Sequence, residues 1–150
     1  MKLMKELIGQ TLSICNNTPD KLSMLANISA CLNEGMKDIN WVGFYLFKDN
    51  QLHLGPFQGR VACTLIDIGK GVCGTSFEKK MLLNIRDVHN FEGHIACDSR
   101  TNSEIVVPLI YGSKRFGVLD IDSISYNRFD LEDEAVLEEI AKIISKYLAK

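Results

Sequence analysis

The sequence predicts an α+β fold. An antiparallel sheet of five or six strands carries the N- and C-terminal helices on one face and a ligand pocket, under loops and a short helix, on the other. Three observations lead there. Apolar residues recur at helical spacing at both ends of the 150-residue chain. Between them, β-branched and aromatic runs follow one another in hairpins and do not alternate with helices. One glycine-rich segment, GKGVCGTSFEKK, interrupts that meander as a short helix.

Leu3, Met4, Leu7, Ile8 and Leu12 form the stripe of a first amphipathic helix, broken by NNTPDK. Thr18 and Pro19 read as the N-cap and first residue of a second helix, with Leu22, Leu25, Ile28 and Leu32 inward and a stop near Gly35. NWVGFYLF, the turn KDNQ and LHLGPF make a hairpin. ACTLIDI is a short strand, followed by the inserted helix and by the strand MLLNIRDV. From Arg86 to Asn102 no periodicity is sustained, and an irregular stretch of that length inside a domain is more often functional than not. SEIVVPLI and RFGVLDIDS are strands joined by YGSK. A last helix starts near Asp130, with Asp130 and Asp133 where the helix dipole favours acids and Leu131, Leu137, Ile140, Ile144 and Leu148 as its apolar stripe.

Composition narrows the function classes. Residues 1–150 read as one domain, 46% hydrophobic and 24% charged, with apolar material enough for a core. A formal net charge of −2 leaves no basic footprint for nucleic acid. The opening MKLMKELIGQTLS lacks the continuous apolar run of a signal peptide, and no segment approaches the roughly 20 apolar residues of a membrane span. A cytoplasmic protein is expected, so the five cysteines should be mostly reduced. Cys15 and Cys31 fall in helical patterns and read as packing residues.

The other three cysteines stand near the free face. Cys97 lies in the polar stretch FEGHIACDSRTNSEI, where no apolar face exists to pack an inert thiol. A thiol reacts as its thiolate, favoured by nearby cations or a helix N-terminus. His94, Arg100 and His89 could supply the former, and Cys73 sits in the first turn of the inserted helix. A second cysteine within reach, Cys63 or Cys73, would convert an oxidised nucleophile into a recoverable disulfide. Zinc on Cys63, Cys73, His94 and Cys97 is a competing reading, weakened because only His94 and Cys97 are closely spaced. Asp120 and Asp122 alternate on a strand and share a face, which Glu104 could join. Such a group suits an ammonium ligand or a proton donor. Trp41 and Tyr45 share a face of the first strand, as core or as pocket wall.

NWVGFYL, LGPFQG, GKGVCGT, DVHNFEGHIACDSRTNSEIVVP and GVLDIDS…RFD together resemble the free methionine-(R)-sulfoxide reductases, enzymes built on a GAF domain. The likeness spans roughly residues 20 to 148 and is weakest before them. It implies that Cys97 attacks the sulfoxide sulfur, releases methionine and becomes a sulfenic acid. Cys63 would then form the disulfide, with Cys73 as an additional or alternative resolving thiol. No bound cofactor is implied; thioredoxin, fed by NADPH through its reductase, would restore the dithiol. By the same resemblance Asp122 or Glu104 delivers the proton, and Glu104, Asp120 and Asp122 meet the substrate ammonium. Trp41 and Tyr45 line its methyl end, and the enzyme is a homodimer. Two other readings compete: a GAF module that only binds a small ligand, and a thiol redox sensor.

Overall fold

The aromatic run at Trp41 forms the middle of the sheet, and the rest of the chain is arranged around it. In this computed structural model, which describes residues 3–150, β1 (Trp41–Lys48) pairs with β2 (Gln51–Gly59) on one side and β6 (Lys114–Ser123) on the other. The complete sheet has six strands in the order β3-β2-β1-β6-β5-β4, all antiparallel, with β3 spanning Leu65–Asp67, β4 Leu83–Ile85 and β5 Ser103–Tyr111. The expected α+β architecture is therefore present.

Alternation along the strands gives the sheet two different faces. Val42, Phe44, Ile105, Val107, Leu109, Leu119 and Ile121 point to one side and are covered by α1 (Glu6–Asn17), α2 (Lys21–Gly35) and α4 (Leu131–Leu148). Cys15 is buried in this layer, where burial pushes its thiol up to about 11. Half-buried Cys31 packs against the same core, its Sγ 3.2 Å from Gln10 Oε1. The opposite face carries Trp41, Tyr45, Val106 and Val118, covered by α3 (Gly71–Lys79). Gly74 lets α3 approach that closely, since a Cβ there would lie 2.4 Å from the Asp67 carbonyl oxygen. No helix among the described residues is long and apolar enough to cross a membrane.

Several local features differ from the sequence reading, among them Leu22, which is 66% exposed and does not turn inward with Leu25, Ile28 and Leu32. The second helix is capped by Asp20, whose carboxylate accepts from Ser23 N at 2.9 Å, so Thr18 and Pro19 lie outside it. The spacing from Asp20 to Ser23 is the one an N-cap needs, and it outweighs the proline signal. Only Leu65–Asp67 of ACTLIDI pairs, which leaves Cys63 on a loop. The stretch 86–102 contains a 3₁₀ turn, Val88–Asn90, capped by Asp87. Leu131 is 80% exposed and does not join the α4 stripe. Its place in the first turn is turned outward because Asp130 and Asp133 form a reciprocal capping box there, with Asp133 also bound to Arg128 at 3.0 Å.

Candidate active site

Strand register assembles the site on the α3 face. Trp41 lies opposite Asp122, and Asp122 opposite Glu104 on the next strand. One step along, Gly43 is opposite Asp120, which in turn faces Val106. Three acids from two adjacent strands thus converge on one pocket, also lined by Tyr45, Cys73, His94, Ile95, Cys97 and Thr101. Gly43 has no side chain because Phe57 fills its place; a Cβ there would stand 2.3 Å from the Phe57 Cβ. Phe57 stacks on Trp41 at 5.2 Å, and Trp41 stacks on Tyr45 at 5.8 Å. The indole nitrogen donates to Arg60 O at 3.1 Å. These contacts fix a flat aromatic wall beside the acids.

Burial dominates the electrostatics. Glu104 and Asp120 are only 6% and 5% exposed. Desolvation, reinforced by mutual repulsion, pushes the carboxyls of Glu104, Asp120 and Asp122 well above the usual range. Protonated members of the group can donate hydrogen bonds or protons. Asp120 Oδ1 and Asp122 Oδ1 are buried with no hydrogen-bond donor from the protein. An acceptor left in that state costs roughly 1–3 kcal/mol. A cationic ligand with several N–H groups would remove that cost. His94 Nε2 is 3.6 Å from Glu104 Oε1, but burial lowers the imidazole pKa and disfavours its cationic form.

Above the acids, Cys63 and Cys97 are joined by a disulfide, with Cα atoms 5.5 Å apart and a sequence separation of 34. Tyr45 Oη donates to Cys63 O at 3.0 Å, tying that loop to the sheet. The Cys97 loop is held from the other side. Asn40 Nδ2 donates to Asp98 Oδ2 at 3.1 Å and to Thr101 Oγ1 at 3.2 Å, and Thr101 Oγ1 donates to Asp122 Oδ2 at 3.4 Å. Ile95 closes over α3 at Gly71, where a Cβ would fall 2.9 Å from the Ile95 Cδ1. Both cysteines remain half-buried and within reach of the pocket or the surface.

The chain is similar in sequence and fold to known proteins. Residues 28–149 match the family model of the GAF domain. The free methionine-R-sulfoxide reductase of Escherichia coli is 52% identical over 128 residues, covering 85% of this chain and 78% of that protein. The chain belongs to the GAF-domain family of free methionine-(R)-sulfoxide reductases. The structure of fRMsr of Staphylococcus aureus in its reduced form has a TM-score of 0.93 and 48% identity, covering 99% of this chain and 96% of the other. The free methionine-R-sulfoxide reductase of Neisseria meningitidis in complex with its substrate has a TM-score of 0.94 and 42% identity, covering 98% and 89%.

In this reductase fold all eight residues singled out from the sequence line one pocket or bridge across it: Trp41, Tyr45, Cys63, Cys73, Cys97, Glu104, Asp120 and Asp122. The cations expected near Cys97 do not serve it as foreseen. Arg100 is committed to Asp98, through Nε at 3.2 Å and Nη2 at 2.9 Å, and holds that carboxyl well below its usual range. His89 hydrogen-bonds Asn102 Oδ1 at 3.0 Å. The helix-dipole argument for Cys73 also fails: desolvation and the neighbouring Asp120 push its thiol well up. The disulfide takes two ligands from the four-residue zinc set and so precludes it in this form. Asn40 and Thr101 escaped the sequence reading. Uncharged and within ordinary loop composition, they gain meaning only from the fold that sets them between Asp98 and Asp122.

Proposed function

We propose that this protein reduces free L-methionine (R)-sulfoxide to L-methionine as a single GAF unit. The observation that carries the reading is the Cys63–Cys97 disulfide set over a pocket with three acids, Glu104 and Asp120 buried and Asp122 half-buried. In the dithiol form the Cys97 thiolate attacks the sulfoxide sulfur while a protonated carboxyl, Glu104 or Asp122, gives its proton to the sulfoxide oxygen. The oxygen then passes from the substrate sulfur to Cys97 Sγ as the newly formed sulfur–sulfur bond breaks, so that methionine leaves and Cys97 is left as a sulfenic acid. Cys63 attacks that sulfur, expels water and forms the disulfide. Two electrons from a thioredoxin dithiol then restore both thiols by exchange. NADPH supplies thioredoxin through its reductase.

Substrate recognition follows from the same pocket. The ammonium meets Asp120 and Asp122 at their unpartnered oxygens, with Glu104 beside them. The Trp41–Tyr45 wall packs the methyl end. A methionine sulfoxide inside a polypeptide has no free ammonium to offer, so the acids select the free amino acid. We further propose a homodimer acting in the cytoplasm as part of oxidative-damage repair.

The test is NADPH consumption with thioredoxin and thioredoxin reductase, offering the R and S epimers separately. Turnover with R alone is expected. Turnover with neither, in reduced and folded protein, would leave a ligand-binding GAF module. Disulfide formation with peroxide but no turnover of sulfoxide would leave a redox sensor.

A further inference from the structure

Cys73 is the one cysteine of the pocket that the disulfide does not use. It is 4% exposed, in the first turn of α3, and points at the acids. Its Sγ and one carboxylate oxygen from each of Glu104 and Asp120 all lie within 4.8 Å of one another. We propose that these three groups bind a borderline-soft divalent cation, zinc or cobalt, on the pocket floor, in exclusive competition with the substrate ammonium.

The donor chemistry separates the two occupants. An ammonium group needs oxygen acceptors and gains little from a thiol. A thiolate beside two carboxylates instead favours zinc or cobalt over the oxygen-seeking magnesium and calcium. Metal–sulfur and metal–oxygen bonds of about 2.3 and 2.0–2.2 Å place tetrahedral ligands roughly 3.3–3.7 Å apart, so shifts of about 1 Å would close the set. A second observation points to a ligand at this place. Asp120 Oδ1 is buried and has no donor, and Asp122 Oδ1 is in the same condition beside it. Three protein ligands leave a fourth position open toward the pocket, for water or the Asp122 carboxylate. Binding displaces the proton of the Cys73 thiol and those of the carboxyls to solvent, and no electron moves.

The Cys63–Cys97 bond makes the site testable apart from catalysis. In the oxidised protein Cys73 is the only free thiol in the pocket, since Cys15 and Cys31 belong to the helical layer. Cobalt(II) titrated into oxidised protein is expected to bind once and to produce a thiolate-to-cobalt charge-transfer band. That band should vanish in Cys73→Ser and persist in Cys31→Ser. Asp120→Asn, which keeps the thiol, should weaken binding by at least about ten-fold, the scale at which even supporting groups act on metal affinity. Competition with substrate rests on the function proposed above: free methionine, carrying the ammonium, should raise the apparent Kd for cobalt. No band in the wild-type protein, or a band that survives in folded Cys73→Ser, would overturn the site. Should Cys73→Ser fail to fold, unchanged affinity in Asp120→Asn would overturn it equally. A cobalt band in protein that turns over neither epimer would remove the reductase reading and leave the metal site. Turnover without a band would do the reverse.

Discussion

The two faces of the sheet are built from the same strands by opposite rules. On the helical face, Phe44, Ile105, Leu119 and Ile121 meet Leu137, Ile140 and Ile144, all at 0% exposure and all apolar. On the other face, the alternate residues of β5 and β6 include the buried Glu104 and Asp120 and the half-buried Asp122, all ionisable. Burying a methylene contributes about 0.8 kcal/mol to folding, whereas burying an unpaired polar group costs on the order of 1–3 kcal/mol. One face therefore sustains the fold and the other draws on it. The difference teaches that the pocket is a region of local destabilisation, which a cationic, hydrogen-bonding ligand would relieve.

The sharpest way to break that contrast is at the thiol above the acids. Cys97→Ser should reduce thioredoxin-coupled turnover to background without changing the thermal midpoint of the reduced protein. Full activity in that variant would remove Cys97 from its assigned role. Ile140→Ala makes the converse change on the helical face. It should cost roughly 2–5 kcal/mol of stability, read as a shift in urea midpoint, because a fully buried side chain leaves a cavity. Its KM should not move. A raised KM would mean that the two faces are not energetically separate.

Asp120→Asn tests the claim that the acid face opposes folding. Because burial raises the folded-state pKa of Asp120, the folded protein keeps a proton at pH values where the unfolded chain has already lost it. Stability therefore falls as pH rises from the unfolded carboxylate value through the raised folded one. The amide cannot ionise, so the variant should melt higher than wild type at pH 7, by about 2–4 °C for each kcal/mol recovered, and the gap should narrow toward pH 4. The same change should raise KM for the sulfoxide about ten-fold or more, the loss of a charged hydrogen bond being worth roughly 1.5–3 kcal/mol. A variant that melts lower at pH 7 with KM unchanged would contradict both halves.

Much of this contrast was legible in the residues, and the part that was not has a common cause. Period-two spacing placed Asp120 with Asp122 and Trp41 with Tyr45 because strand alternation is local. The shared pocket of Glu104 with those acids needed the β5–β6 register, and the turn from Tyr111 to Lys114 does not dictate it, because the pairing shifts by one residue between Leu109 and Ile110. What spacing could not give was who touches whom across the fold. Nothing in DSR says that Arg100 would be spent on Asp98, or that Asp98 would receive Asn40 from 58 residues away. The thiol of Cys73 was misjudged for the same reason. Its first-turn position is a local fact that favours the thiolate, and its burial against Asp120 is a tertiary one that outweighs it. The meaning of Cys63 and Cys97 came from resemblance to a family; spacing offered only candidates.

The smallest expected effect lies at the start of α4, on the stabilising side. Asp130 Oδ1 accepts from Asp133 N at 2.8 Å, and Asp130 N donates to Asp133 Oδ2 at 3.0 Å. Asp130→Ala removes the first bond and leaves the Asp133 amide without its acceptor, at a cost of about 1 kcal/mol. The second bond uses the backbone and survives, and Arg128 still holds Asp133 from its other side. Thermal melting should therefore fall by only a few degrees, while turnover per folded molecule and KM stay at wild-type values. Urea denaturation at matched temperature checks the first expectation and the coupled assay the second. A kinetic change here would mean that α4, packed across the sheet from the pocket, sets the position of Glu104 through β5, and the division between the two faces would have to be redrawn along that strand.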